Sequence, residues 1–525
     1  MKRMKLTLAG RIVVFALIAA IVCGCGFVGY KYFAPADLIE NFGSDNLGNY
    51  DDNKNNGNET KPNNNVNVND TVINLSLDEW IGWEPILYAN QGLTTQSGSI
   101  FDKLGLKVNI HIINDAEASS NALIKGDLNA AGYTLNRTAF LSGKFADAGL
   151  DVVMPVFTNY SNGGDGIIAL SNINSIEDLV DAKIGVPKFS EAQSLVIWFI
   201  NKSDLSDADK QKVIDNLILL DDAEQTGQAF FAGSLDVAAT WQPYLSNAEN
   251  STNSHILFDT TSSNKLILDG ILFRADFAQA HSDIVSKFID GIFKALDEYE
   301  SDFDCIKKIM PMFACMSDEE IAATRKDAGM MGYSANVNAL ENDCPVVYAD
   351  MCTIWESIGE TVNRSLGATL FDTSYVKALS DKYSSLQQAP TFEITDEQRE
   401  EALNTVALLT KSATINFIDD TAKFMDNKEA DAILREFVEI AKTLDGTIIQ
   451  IEGNVNFADN TYYENALSQN RAETVKKYFV ANGIDANRLI VVGNGSTKMI
   501  VDPSGSIEDT MPNRRTDICF KAVGA

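Results

Sequence analysis

A regular alternation of apolar and polar residues begins abruptly at Val72. The run Val72-Ile73-Asn74-Leu75-Ser76-Leu77 reads as a first strand. Leu106 to Ile113 repeats the period of two that a half-buried strand requires. Between them, Trp80-Ile81-Gly82-Trp83-Glu84-Pro85 forms a loop that opens the helical ILYANQGL. AEASSNALIKG predicts a helix stopped by Gly126, and Leu128 to Tyr133 a short strand ending at Thr134. Two strands follow around 152–170, then KIGVP, an amphipathic helix near Glu191 to Asn201, and LILL at 217–220. A further helix and strand occupy AEQTGQAFFAGSLDVAATW, with HILFD and LILDGILF after them. Helices are expected over about 276–299, 303–311 and 317–328. Such alternation predicts an α/β fold of parallel sheets with helices on both faces.

The pattern changes at both ends of this region. Asp372 to Ala389 reads as a terminal helix and polar tail, and Pro390 and Thr391 mark a boundary. Beyond a helical lead-in, strands are expected at Ser412 to Ile418, Ile448 to Glu452, Leu489 to Val492 and Thr516 to Phe520, with amphipathic helices at Asn427 to Leu444 and Ala466 to Ala481. At the other end, Ile12 to Tyr30 is nineteen residues without a charge, behind Lys2, Arg3, Lys5 and Arg11. That length suits a helix crossing a hydrocarbon core, and the basic flank places the N-terminus in the cytoplasm. The bulky Tyr30-Lys31-Tyr32-Phe33 before Ala34-Pro35-Ala36 ranks a retained anchor ahead of a cleaved export signal, with lipidation at Cys25 third. Residues 35–71 are rich in asparagine, aspartate and glycine and bury almost nothing, so they read as a disordered linker with about 30 Å of reach. The expected organisation is 1–34 cytoplasmic tip and anchor or signal, 35–71 linker, 72–390 α/β region, and 391–525 lead-in and terminal domain.

Composition narrows the function. The 525 residues carry 73 acidic and 42 basic side chains, a net charge of −31, which argues against a nucleic-acid partner. Only His111, His255 and His281 occur, scattered, so no metal site is expected. Cys305, Cys315, Cys344 and Cys352 lie in one region and allow up to two disulfides. No nucleophile, base and orienting group fall together. The chain therefore reads as a non-enzyme with no catalytic residue and no cofactor.

Ala122 to Ala131 and Ala229 to Ala239 share one design: a helix ending at glycine, a tight turn and a short apolar strand. Together they put Thr134 to Asn136 and Thr240 to Tyr244 at carboxyl ends of strands, where open α/β sheets bind ligands. With Trp83-x-Pro85, Tyr88-Ala89, Gly92, Gly126-Asp127, Ser175-x-x-Asp178-Leu179, Lys183-Ile184-Gly185-Val186, Gly233-Ser234-Leu235-Asp236 and Trp241-x-Pro243, this stretch resembles the solute-binding proteins of ATP-driven importers, of the nitrate, sulfonate, taurine and thiamine-precursor type. The resemblance runs from about Leu75 to Tyr299, more weakly to Tyr383. It implies a two-lobed, type II periplasmic-binding-protein-like module with a ligand in its cleft. The candidate ligand-binding residues are Trp80, Trp83, Glu84, Thr134, Asn136, Asp165, Ser190, Glu191, Trp241, Gln242 and Asp269. Ser190 before Glu191 also has the form of a helix cap, and the three tryptophans suit an aromatic wall as well as a core. Arg137 and Arg274 are the only arginines within 75–300. The acidic candidates therefore favour an amine or heteroaromatic cation, whereas the resemblance implies an anion or a pyrimidine. The ligand stays open between them.

The terminal part carries Ile415-x-Phe417, Ile451-Glu452-Gly453, Leu467-Ser468-x-x-Arg471-Ala472-x-x-Val475, Gly483-Ile484, Arg488-Leu489 and Asn513-Arg514-Arg515-x-Asp517-Ile518. It resembles the peptidoglycan-binding domain of outer-membrane protein A, peptidoglycan-associated lipoproteins and flagellar stator proteins, a small α+β fold. That family binds the diaminopimelate stem peptide through an aspartate in a Gly-His-Thr-Asp run and a later arginine. Here the run is Gly453-Asn454-Val455-Asn456, and Arg471 keeps its place fifteen residues after Asn456. The aspartate is lost, and Asp459 is the substitute at hand. The expected peptidoglycan-binding residues are Asn456, Asp459, Arg471 and Arg515. The whole reads as a single-pass cell-membrane protein, its bulk on the extracytoplasmic side. It would capture a small molecule for an importer permease while held by membrane and peptidoglycan. The alternative is a structural or sensory protein linking membrane to cell wall.

Overall fold

The computed structural model describes residues 71–298, 303–386, 394–418, 420–457, 461–506 and 508–522. The apolar segment Ile12 to Tyr30, residues 35–70 of the linker and Asp459 lie outside the described residues. Among the described residues no helix is long and apolar enough to cross a membrane.

Among the described residues fifteen strands form three sheets. They are β1 Val72–Leu77, β2 Lys107–Ile112, β3 Ala130–Thr134, β4 Val152–Ser161, β5 Asp165–Leu170, β6 Ile184–Pro187, β7 Ile218–Leu220, β8 Val237–Trp241, β9 Ser254–Asp259, β10 Leu268–Arg274, β11 Ala328–Met330, β12 Leu409–Ala413, β13 Thr447–Gly453, β14 Leu489–Gly493 and β15 Thr516–Ala522. The sheet orders are β11-β4-β10-β3-β1-β2, β7-β6-β8-β5-β9 and β12-β15-β13-β14. The alternation expected at Val72 to Leu77 is therefore a strand over the same residues.

The sheets are mixed rather than parallel. β1 pairs in parallel with β2 and β3, and β6 with β7 and β8. In contrast, β5 runs antiparallel to both β8 and β9, and β11 to β4. A strand that is apolar on both faces shows its burial in the sequence but not its direction, which is set by its partners.

The chain divides into two compact units. Among the described residues, one comprises residues 71–132, Phe145–Val152 and Leu272–Arg325. In it, Trp83 is fully buried against Leu77 and Gly132, where a Cβ at Gly132 would come within 2.9 Å of the indole. The other comprises Tyr133–Lys144, Val153–Ile271 and Lys326–Ala525. Its five-stranded sheet packs Ile168, Phe230, Leu235, Ala238, Leu245 and Ala248 into one core. The helix Glu191–Lys202 was expected to be amphipathic but is buried throughout Ala192 to Ile200. Gly126 and Gly233 end their helices at φ 83° and 77°, the left-handed conformation that glycine adopts without steric cost.

In the terminal domain, the helices Asn427–Thr443 and Thr461–Ala481 accompany an antiparallel β12-β15-β13 ladder with β14 parallel to β13. Its first strand is Leu409–Ala413, earlier than the expected Ser412 to Ile418. Cys305, Cys315, Cys344 and Cys352 are free thiols, so neither of the two disulfides that their positions allow is formed. Cys305 instead donates to the Leu87 carbonyl.

Candidate functional site: an acidic sheet end and an arginine-bearing helix

Strand register gathers one group of polar residues. β6, β7 and β8 are mutually in line, with Pro187 beside Leu220, so their carboxyl ends share one edge of the five-stranded sheet. Because β5 is antiparallel, its first residue, Asp165, pairs with Trp241 at the end of β8. Gly166 pairs with Asp259 at the end of β9. Asp165, Trp241, Gln242, Asp259 and the Ser190–Glu191 turn thus stand at a single sheet end.

Ser190 caps the helix Glu191–Lys202. Its Oγ accepts the Gln193 N–H at 3.2 Å and donates to the Pro187 carbonyl at 2.7 Å. Phe189, just before it, sits at φ 55° with its N–H donated to Gln193 Oε1 and its ring stacked on Phe140 at 4.9 Å. Glu191 accepts from Thr134 Oγ1 at 2.7 Å and from Arg137 through both Nε and Nη2, at 3.0 and 2.9 Å. Burial alone would raise this carboxyl. The Arg137 charge and its two hydrogen bonds outweigh that and hold it below the usual range.

Among the described residues no guanidinium acts on Asp165 in this way. Ser161 Oγ donates to it at 2.7 Å, and burial, with the nearby charge of Glu191, pushes its pKa up to about 7. Asp327 is likewise pushed up to about 7, by burial and by the charges of Asp165 and Asp259. Thr260 Oγ1 lies 2.9 Å from Ser161 Oγ and accepts the Gly163 N–H at 2.8 Å. The result is a group of carboxyls that repel one another and have an excess of negative charge once ionised.

The other expected residues fall elsewhere. Trp241 is half exposed, and Gln242 accepts from Ser246 while its own N–H meets the Gly164 carbonyl. Asn136 is buried. Its amide donates to Ser194 Oγ at 2.9 Å and to Met351 Sδ at 3.1 Å, and its Oδ1 finds no partner among the described residues. Asp269 is buried within β10. In the first unit, Trp80 is partly buried, while Trp83 is a core residue whose Nε1 donates to Asp78 at 2.6 Å. Glu84 is 2% exposed and takes Arg325 Nε at 2.5 Å.

Two acidic candidates thus have arginine partners that the sequence reading passed over. Arg137 follows Thr134 by three residues, but its carboxylate partner Glu191 is 54 positions on. Arg325 lies 241 residues from Glu84 and left no local signal. Asp259, Thr260 and Asp327 were also missed, although Asp259 ends a strand as Thr134 and Trp241 do. Among the described residues no group of three or more His, Cys, Asp or Glu is arranged to hold a metal ion.

In the terminal domain, Arg471 projects from the helix Thr461–Ala481. Its guanidinium lies 4.8 Å from the Phe417 ring centroid, and its Nε donates to the Thr421 carbonyl at 3.0 Å. Asn456 Oδ1 accepts from Asn513 Nδ2 at 2.9 Å, and Asn513, fully buried, also accepts the Ile500 and Val501 amides. Arg515 is paired with Asp517 at 2.9 Å and donates to the Lys498 carbonyl. Asn454, where the family has histidine, donates to Asp517 and accepts from Asn494.

Residues 416–510 match the family described as OmpA family. Among curated relatives, the chain is 32% identical over 90 residues to outer membrane protein A of Bordetella avium, covering 17% of this chain and 46% of that protein. It is 30% identical over 111 residues to the photosystem I P700 chlorophyll a apoprotein A2 of Gloeobacter violaceus, covering 20% of this chain and 13% of that protein. The chain thus spans less than half the length of either relative. Among solved structures, it aligns with the alkanesulfonate-binding protein of Xanthomonas axonopodis pv. citri at 15% identity and a TM-score of 0.43, over 58% of this chain and 98% of that one. With the periplasmic nitrate-binding protein of Synechocystis PCC 6803 the values are 9% and 0.42, over 59% and 88%.

Proposed function

We propose that the chain is an extracytoplasmic solute-binding protein. In this reading, residues 72–390 take up a small cation for an importer permease, and the OmpA-like domain holds peptidoglycan. The observation that carries it is the sheet end where Asp165, Asp259 and Trp241 converge with Asp327 nearby. Among the described residues no arginine acts on Asp165 or Asp327, whereas Glu191 has Arg137. A cationic ligand would relieve the mutual repulsion of Asp165 and Asp327, and an anion would worsen it. The half-exposed Trp241 offers the face on which such a cation stacks.

Calorimetry on the full chain tests the sign of the ligand. Choline and thiamine stand for amine and heteroaromatic cations, and nitrate and an alkanesulfonate for the anions that the resemblance implies. Saturable binding of a cation, weakened by Asp165→Asn and by Trp241→Ala, is expected. Tight binding of nitrate or the sulfonate with silence from both cations would refute the reading. A sensory tether between envelope layers is the second reading, and one observation favours it: the OmpA-like domain is hydrogen-bonded to the segment that follows Asp259.

A further inference from the structure

The segment Asp259 to Lys265 joins β9 to the strand that returns through β10, and it makes two sets of contacts. Its first half belongs to the acidic sheet end. Asp259 caps a short 3-10 turn, Thr260–Ser262, by accepting the Thr261 N–H at 2.9 Å. Thr260, 1% exposed, holds Ser161, the Gly163 amide and, at 3.3 Å, the Asp165 carbonyl.

Its second half belongs to the OmpA-like domain. The Ser262 carbonyl accepts the Gly446 N–H at 3.0 Å. Ser263, fully buried, donates to the Thr443 carbonyl at 2.5 Å, one of the last carbonyls of the helix Asn427–Thr443. The Asn264 N–H meets Asp445 Oδ1 at 3.2 Å. Lys265 Nζ lies 3.2 Å from Asp343 and 3.9 Å from Asp445, so one ammonium serves two carboxylates, one from each domain.

We propose that Asp259–Lys265 is a strap that couples the acidic sheet end to the docking of the OmpA-like domain. Three physical points carry this. The hydroxyls at both ends are buried, so neither can exchange its protein partner for water while the strap stays in place. The link between them is a single 3-10 turn, whose rise of about 2 Å per residue puts Thr260 and Ser263 only about 6 Å apart along its axis. A turn that short transmits a displacement rather than absorbing it. Finally, Lys265 is the largest opposing charge on both Asp343 and Asp445, ahead of Lys442 and Arg488, so releasing it strengthens the repulsion between two carboxylates of different domains and makes docking respond to the position of one side chain. Anything that moves Thr260, a ligand at Asp165 included, moves Ser263 and Lys265 with it.

Hydrogen exchange on the full chain, read at three amides without any ligand, tests the coupling separately from the ligand reading. The Gly163 amide reports the first end, and the Asn264 and Gly446 amides report the second. Thr260→Val removes one hydroxyl at nearly constant volume. It is expected to speed exchange at Asn264 and Gly446 about tenfold, and Thr260→Ser should restore protection. In the other direction, Ser263→Ala and Lys265→Met should speed exchange at Gly163. Protected amides in β13 and β15 certify that each variant is folded, and the milder Ser263→Ala serves if Lys265→Met is not. If each substitution loosens only its own end, the strap is a passive connection and the proposal is wrong.

Discussion

Asp165 shows how much of a site a single residue can carry and how little its sequence context says about it. The sequence offered it as one candidate among eleven, but its chemistry depends on neighbours elsewhere in the chain: Ser161, Glu191 and Asp327. Asp165 and Asp327 are each pushed up to about 7, first by burial and then by neighbouring charge. Their folded values thus lie above the unfolded ones, so folding retains protons that the unfolded chain releases. That stability is fully present below pH of about 4 and is lost as pH rises through about 7. The melting temperature should therefore fall between pH 5 and 8, and Asp165→Asn should flatten the fall and raise the melting temperature at pH 8. Scanning calorimetry at the two pH values checks it, and an unchanged slope would remove Asp165 from the account. The same titration gives ligand binding a direction: affinity for a cation should rise from pH 6 to 8 as the carboxyls ionise. Glu84 is the opposite case. It is buried beside Arg325, so Arg325→Ala removes the cation paired with a buried carboxylate and should cost about 3 kcal/mol in urea unfolding. A loss below about 1 kcal/mol would mean that the pair is not what keeps Glu84 inside.

At the scale of elements, what was legible followed from periodicity and what was not followed from partners. β1 occupies the run of residues expected of it because the pattern switches on at Val72 without ambiguity. The glycine turns at Gly126 and Gly233 were read correctly because only a left-handed residue ends a helix that way. The burial of the helix Glu191–Lys202 and the reversed β5 were not legible, since both depend on elements that cover or flank them. Trp83 belongs with these. Tryptophans around Gly82 suited an aromatic wall as well as a core, and it is Gly132 on β3, leaving a space that the indole fills, that makes Trp83 a core residue. Gly132→Ala would force a methyl to within 2.7 Å of Leu77 and 2.9 Å of Trp83. Overpacking of this kind costs about 1–3 kcal/mol. A lower denaturation midpoint, with a red-shifted emission from a displaced Trp83, is the expected result, and a midpoint equal to that of the wild type would mean that Trp83 is not packed tightly against Gly132.

At the scale of the molecule, the chain combines an α/β region and an OmpA-like domain, and the second was the easier to read because its motifs are local to single elements. Its docking onto Asp259–Lys265 was invisible, as it rests on polar contacts between residues some 180 positions apart. The terminal domain also carries the sharpest test of the proposed wall attachment. Arg471 is held by Phe417 and the Thr421 carbonyl, which orients a planar fork able to pair two ways with a carboxylate. Asn456, the position of the family aspartate, is held instead by Asn513, and a neutral amide meets a stem-peptide ammonium with only the weaker, uncharged kind of hydrogen bond. Arg471→Ala should therefore abolish sedimentation with purified cell wall, and Arg471→Lys should restore little of it, because a point charge lacks the fork. Asn456→Asp should strengthen binding to walls whose diaminopimelate is unmodified, since Asn513 can donate to a carboxylate as it does to the amide. Equal sedimentation of the wild type and Arg471→Ala would show that the domain uses its fold for protein contacts, of which the strap at Asp259–Lys265 is already one.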